Sequence, residues 1–77
     1  KLSFKQKHAL ETLPKDMAKL ETEITKLKTA LADPDLYARN PAQFDTWAKA
    51  LAERELSLSA LEEQWLELEL LREEVEG

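Results

Sequence analysis

The sequence predicts an all-α fold: an antiparallel two-helix coiled-coil hairpin, with a short N-terminal helix packed against the base of the long C-terminal helix. Three observations lead there. Apolar residues recur at alternating three- and four-residue steps in two runs: Leu13, Met17, Leu20, Ile24, Leu27 and Leu31, then Phe44, Trp47, Leu51, Leu58, Leu61, Trp65, Leu68 and Val75, with Arg54 and Arg72 standing at the two skipped positions. A step averaging about 3.5 is the mark of a seam between two helices, narrower than the stripe of a globular helix. The runs are separated by Ala32 to Pro41, a segment holding two of the three prolines. Finally, 77 residues without cysteine make one small domain, 1–77, whose core must be a thin seam without disulfide or Cys-based zinc support.

The first element is a short helix over about 3–13, with Ser3 as N-cap and Phe4, Leu10 and Leu13 as its apolar residues. Pro14 is expected to end it, because proline disfavours helical geometry in the residue before it. The same proline suits the first position of a second helix, over about 14–32. In the tip loop, 33–40, Asp33-Pro34-Asp35 can cap a single turn through Leu36 and Tyr37. Asn40-Pro41-Ala42-Gln43 then supplies a cap residue, a first-turn proline and a Gln at the capping-box position. The third helix is expected over about 41–76, with Gly77 as its stop.

At 1.5 Å per residue the second helix spans roughly 28 Å and the third roughly 54 Å. Antiparallel pairing sets Leu31 against Phe44, Leu27 near Trp47, Ile24 near Leu51 and Met17 near Leu58. It leaves Leu61, Trp65, Leu66, Leu68, Leu70 and Leu71 without a partner, and the first helix, roughly 16 Å long, is the right size to cover much of them. Phe4, Leu10 and Leu13 are therefore expected on Trp65 and Leu68. Arg54 stands at a seam position; its methylene stem is expected along the seam with the guanidinium wet. The competing possibility is a local register change such as a π-bulge.

The net charge is −5, but it is unevenly placed. Residues 1–32 hold seven lysines against four acids, and residues 33–77 hold four basic residues against twelve acidic ones. One arm is mildly basic and the other strongly acidic, which says more than the total. Lys15, Lys19 and Lys26 share one side of the second helix; Lys5 and Lys7 are expected to extend that edge, Lys28 lies beside it and Arg39 decorates the tip. Such a row can neutralise phosphates, or it can pair with the glutamates of the third helix.

No catalytic set emerges. His8 is the lone histidine, the only glycine is terminal, and neighbouring glutamates such as Glu62 and Glu63 diverge by about 100° on a helix. Trp47 and Trp65 sit on seam positions as core residues. No apolar run approaches the ~20 residues needed to cross a bilayer. The chain, starting at Lys1 without a signal-type block, reads as a soluble domain excised from a longer protein, with no enzymatic activity, cofactor or metal of its own expected.

The opening Lys1-Leu2-Ser3-Phe4-Lys5, the Leu13-Pro14 pair, the tip Ala32-Asp33-Pro34-Asp35-Leu36-Tyr37 and the late Glu63-Gln64-Trp65-Leu66-Glu67-Leu68-Glu69 resemble the C-terminal domain of ABC-F ATPases of the Uup type, over essentially the whole chain. That resemblance implies a cytoplasmic parent without membrane domains, carrying two ATP-binding cassettes, with ATP and Mg as its cofactors. It implies a nucleic-acid-contacting appendage (DNA, possibly ribosomal RNA) linked to ribosome function, expected as a monomer beside its own cassettes. On this reading Lys5, Lys15, Lys19, Lys26, Lys28 and Arg39 contact phosphates without reading sequence. The alternative is a protein-interaction or spacer arm that regulates the cassettes or docks on the ribosome.

Overall fold

A computed structural model describes residues 1–76; the Gly77 stop lies outside the described residues. Three helices follow in order: α1 (Phe4–Leu31), α2 (Leu36–Arg39) and α3 (Pro41–Glu76). The two long helices pack side by side in opposite directions, giving a rod 56 × 17 × 14 Å. The all-α hairpin expected from the apolar spacing is what forms. All six stripe residues of α1 are buried or half-buried, and on α3 Phe44, Trp47, Leu51, Leu58, Leu61, Trp65 and Leu68 are half-buried.

One boundary differs from expectation. Pro14 does not end a helix: α1 runs unbroken through it for 28 residues. A proline inside a helix forfeits one backbone hydrogen bond and crowds the preceding turn, at a cost of about 3 kcal/mol. Here Leu13, the residue whose helical geometry Pro14 disfavours, is only 5% exposed. Burying a leucine stabilises by about 1.5–3 kcal/mol, and the stripe continues on both sides of the proline. Pro14 itself is exposed, so its ring does not obstruct the seam. Packing outweighs the local preference, and the expected short first helix is the first third of α1.

That continuity fixes the phase of the N-terminal segment, and with it which side chains face inward. Continued backwards from Leu13, the stripe falls on Leu10, Ala9, Gln6 and Leu2. Leu2 is 8% exposed, whereas Phe4, expected on Trp65 and Leu68, is 84% exposed and outside the core. Gln6 and Ala9 share a recess with Leu68 and Leu71 instead. The segment does lie against the base of α3, as expected, with Leu10 and Leu13 turned inward and Leu2, Gln6 and Ala9 there in place of Phe4. It leaves Leu66 and Leu70 53% and 55% exposed, because one helix covers an arc of only about 100° on its neighbour.

Both turns into α1 and α3 are fixed by side chains. The Ser3 hydroxyl accepts from the Gln6 N–H (3.1 Å) and the Gln6 side chain accepts from the Ser3 N–H (2.9 Å), a complete capping box. At the tip, Asp33 Oδ1 accepts from the Asp35 N–H (2.9 Å) and Asn40 Oδ1 from the Gln43 N–H (3.1 Å). Leu36 is buried, and Tyr37 meets Phe44 edge-on at 5.3 Å. Helix α3 shows no break through residues 50–58, so the π-bulge is excluded. Arg54 lies half-buried in the seam, its Nε donating to Glu23 Oε2 at 3.0 Å.

Candidate functional site

The basic edge is built on the outer face of α1. At about 100° per residue, Lys15, Lys19 and Lys26 fall within an arc of about 40°, roughly opposite the Leu13–Leu31 stripe, and Lys5 lies about 60° from the centre of that arc. All four are exposed, and among the described residues none forms an ion pair. The helix geometry that buries the apolar stripe therefore delivers the lysines to water as one row.

Lys28 does not join that row. It projects about 160° from Lys26, on the flank of the seam, where its Nζ lies 3.9 Å from Glu55 on α3. Arg39 is at the tip as expected, but its Nη2 donates to Asp33 Oδ2 at 3.0 Å, so it is part of the turn's own bonding. The structure thus brings Lys15, Lys19 and Lys26 together on one side, sets Lys5 at the flank in the recess it shares with Gln64 and Glu67 of α3, and gives Lys28 and Arg39 partners elsewhere.

Acids flank the row, and their partners decide what remains. Glu23, one turn beyond Lys19, is engaged by Arg54. Glu11 and Asp16 are helix neighbours of Lys15 and Lys19 but reach neither within ion-pair distance. The threonines between the lysines use their hydroxyl donors on their own helix: Thr22 on the Ala18 carbonyl (3.0 Å), Thr25 on Glu21 (2.9 Å) and Thr29 on Thr25 (2.9 Å). What this face presents to solvent is a line of exposed ammonium groups without ion-pair partners among the described residues.

Sequence reasoning missed two features near the row. The Glu23–Arg54 pair was foreshadowed by an arginine on one seam and an acid near the same level on the other. Phe4 and His8, one helical turn apart, stack with ring centroids 6.3 Å apart and planes within 7°; their four-residue spacing was the available signal. Opposite, α3 exposes Leu56 (74%), Leu66 and Leu70 among glutamates. Among the described residues no group of three His, Cys, Asp or Glu side chains is placed to hold a metal ion, and no helix is long and apolar enough to cross a membrane.

Comparison with known proteins places this hairpin in a family. The model of the ABC transporter C-terminal domain matches residues 1–70. The chain is 40% identical over all 77 residues to the ATP-binding protein Uup of Haemophilus influenzae, covering 12% of that protein. A Uup-like ATP-binding protein from the same organism is 41% identical over 69 residues, 90% of this chain and 15% of the relative. The ATP-binding protein Uup of Caulobacter vibrioides is 46% identical over 77 residues, all of this chain and 13% of its own length. The chain thus spans about an eighth of the curated relatives it matches, and no solved structure matches it. With family model, relatives and the resemblance of its opening, tip and Trp65 segments in agreement, the chain belongs to the ABC transporter C-terminal domain family.

Proposed function

We propose that this hairpin is a nucleic-acid-contacting arm of a cytoplasmic ABC-F ATPase, acting as a single copy and holding DNA or RNA through phosphate contacts. The observation that carries the proposal is the exposed, unpaired row of Lys15, Lys19 and Lys26 on the outer face of α1, set apart from the acidic α3, with the unpaired Lys5 at its flank. Each lysine placed on a phosphate releases a condensed counterion, so binding is steeply salt-dependent and sequence-tolerant. ATP and Mg belong to cassettes outside this chain, and the arm adds a grip on the polymer. Lys28 and Arg39 contribute less than the row, because partner carboxylates already engage them.

The test is binding to duplex DNA and duplex RNA across a salt series, with the wild type and a Lys15→Glu, Lys19→Glu, Lys26→Glu triple variant. The variant is expected to bind more weakly and to lower the log–log salt slope by about 3. Binding that is salt-insensitive, or unchanged in the variant, refutes the proposal. A second reading, an arm that docks on its own cassettes, is supported by the exposed Leu56, Leu66 and Leu70 on α3. It predicts that Leu66→Gln with Leu70→Gln alters ATP hydrolysis by the full-length protein while leaving nucleic-acid binding intact.

A further inference from the structure

We propose that Phe4, flanked by His8, is a stacking platform for an unpaired base, so that the α1 face favours single-stranded nucleic acid over intact duplex; this rests on the nucleic-acid reading above. Phe4 is the most exposed large apolar residue described, at 84%. Its backbone is nonetheless fixed. Phe4 occupies the first position of α1, inside the Ser3–Gln6 capping box, and Leu2, two residues before it, is buried. The imidazole of His8, one turn on, lies nearly parallel to the ring but offset, with centroids 6.3 Å apart, so the faces of Phe4 stay largely open.

The surroundings distinguish the occupant. Residues 1–10 carry Lys1, Lys5 and Lys7 and no acid, in a chain of net charge −5. An apolar protein partner would find no second large apolar side chain beside Phe4 on this face: the positions that follow are His8, Glu11 and Lys15. Cations around an isolated, exposed aromatic ring are instead the combination that single-strand binders use, with charge tracking phosphates and the ring receiving a base. Phe4, His8, Lys15 and Lys26 fall within about 40° around the helix and span about 33 Å along it, a length of strand such binders occupy. A paired base has both faces covered by its neighbours in the stack, so only an unpaired or terminal base can use the ring.

The experiment measures affinity by fluorescence anisotropy for a roughly 12-nucleotide oligo-dT, an abasic strand of equal length and a blunt duplex. It compares wild type, Phe4→Ala and Phe4→Trp, with helix content followed by circular dichroism. Phe4→Ala is expected to weaken oligo-dT binding about 5- to 100-fold, with abasic-strand and duplex binding within about twofold of wild type and helix content unchanged. Phe4→Trp should restore the loss. Unchanged oligo-dT binding by Phe4→Ala, or an equal loss on the abasic strand or duplex, overturns the stacking role. If that happens while wild-type duplex binding keeps its lysine-dependent salt slope, the stacking role alone falls. Wild type that binds none of the three probes takes the nucleic-acid reading down as well.

Discussion

The two arms of the hairpin carry the same three-and-four spacing and use it differently. On α1 the stripe is clean: Leu13 and Ile24 are buried, and on the outer face Phe4 is the one large apolar side chain among lysines, threonines, His8 and a few acids. On α3 none of the described residues reaches the same burial, and leucines spill out of the stripe at Leu56, Leu66 and Leu70. A two-helix rod has one line of contact, so apolar residues beyond that line gain little from the fold. The comparison teaches that apolar content and apolar burial separate in a hairpin. The leucine-richer arm is the one with more apolar surface left over.

The sharpest way to break this contrast is to truncate one leucine or isoleucine on each arm. Ile24→Ala is expected to destabilise by about 2–4 kcal/mol, lowering the thermal midpoint by some 10–25 °C in a domain of this size. Leu66→Ala should stay within about 0.5 kcal/mol. Equal losses in thermal melts would mean that Leu66 is covered in solution. Next in size, Pro14→Ala should stabilise α1 by about 1–3 kcal/mol, since it restores a helical hydrogen bond in a stretch already held straight through the proline. A lower melting temperature would show that α1 is interrupted there after all.

Asn40→Ala tests the entry to α3 and should cost about 1 kcal/mol, the usual worth of a helix cap, in chemical denaturation. The smallest effect is expected at the cross-arm ion pair. Glu23 and Arg54 are half-exposed, so a double-mutant cycle with Glu23→Gln and Arg54→Met should return a coupling of about 0.2–1 kcal/mol. A coupling well above that would make the pair, not the apolar line, the feature that sets the register between the arms.

Much of this was legible in the sequence because it is local or periodic. The six stripe residues of α1, the cap at Ser3, the turn started by Asp33 and the Asn40–Gln43 entry all follow from spacing and side-chain chemistry within a few residues. Pro14 was not legible in the same way. Whether a proline stops a helix depends on what its neighbours bury, and the burial of Leu13 is a property of the packed pair. The error propagated: with a break assumed, the first segment had no fixed phase and Phe4 could be turned inward. Once α1 is continuous, Leu2 takes that place. For the lysines, helix phase alone separated Lys28 from Lys15, Lys19 and Lys26, but the partners of Lys28 and Arg39 depended on where Glu55 and Asp33 came to lie.

The rod is 56 Å long and only 14–17 Å across, with Leu2 and α3's last turn together at one end and Leu36 at the other. Such a body acts as a lever. A tilt of about 10° at the base sweeps the tip through roughly 10 Å, so a small rearrangement where the arm is anchored becomes a displacement of nanometre scale where the Asp33–Arg39 turn meets its surroundings.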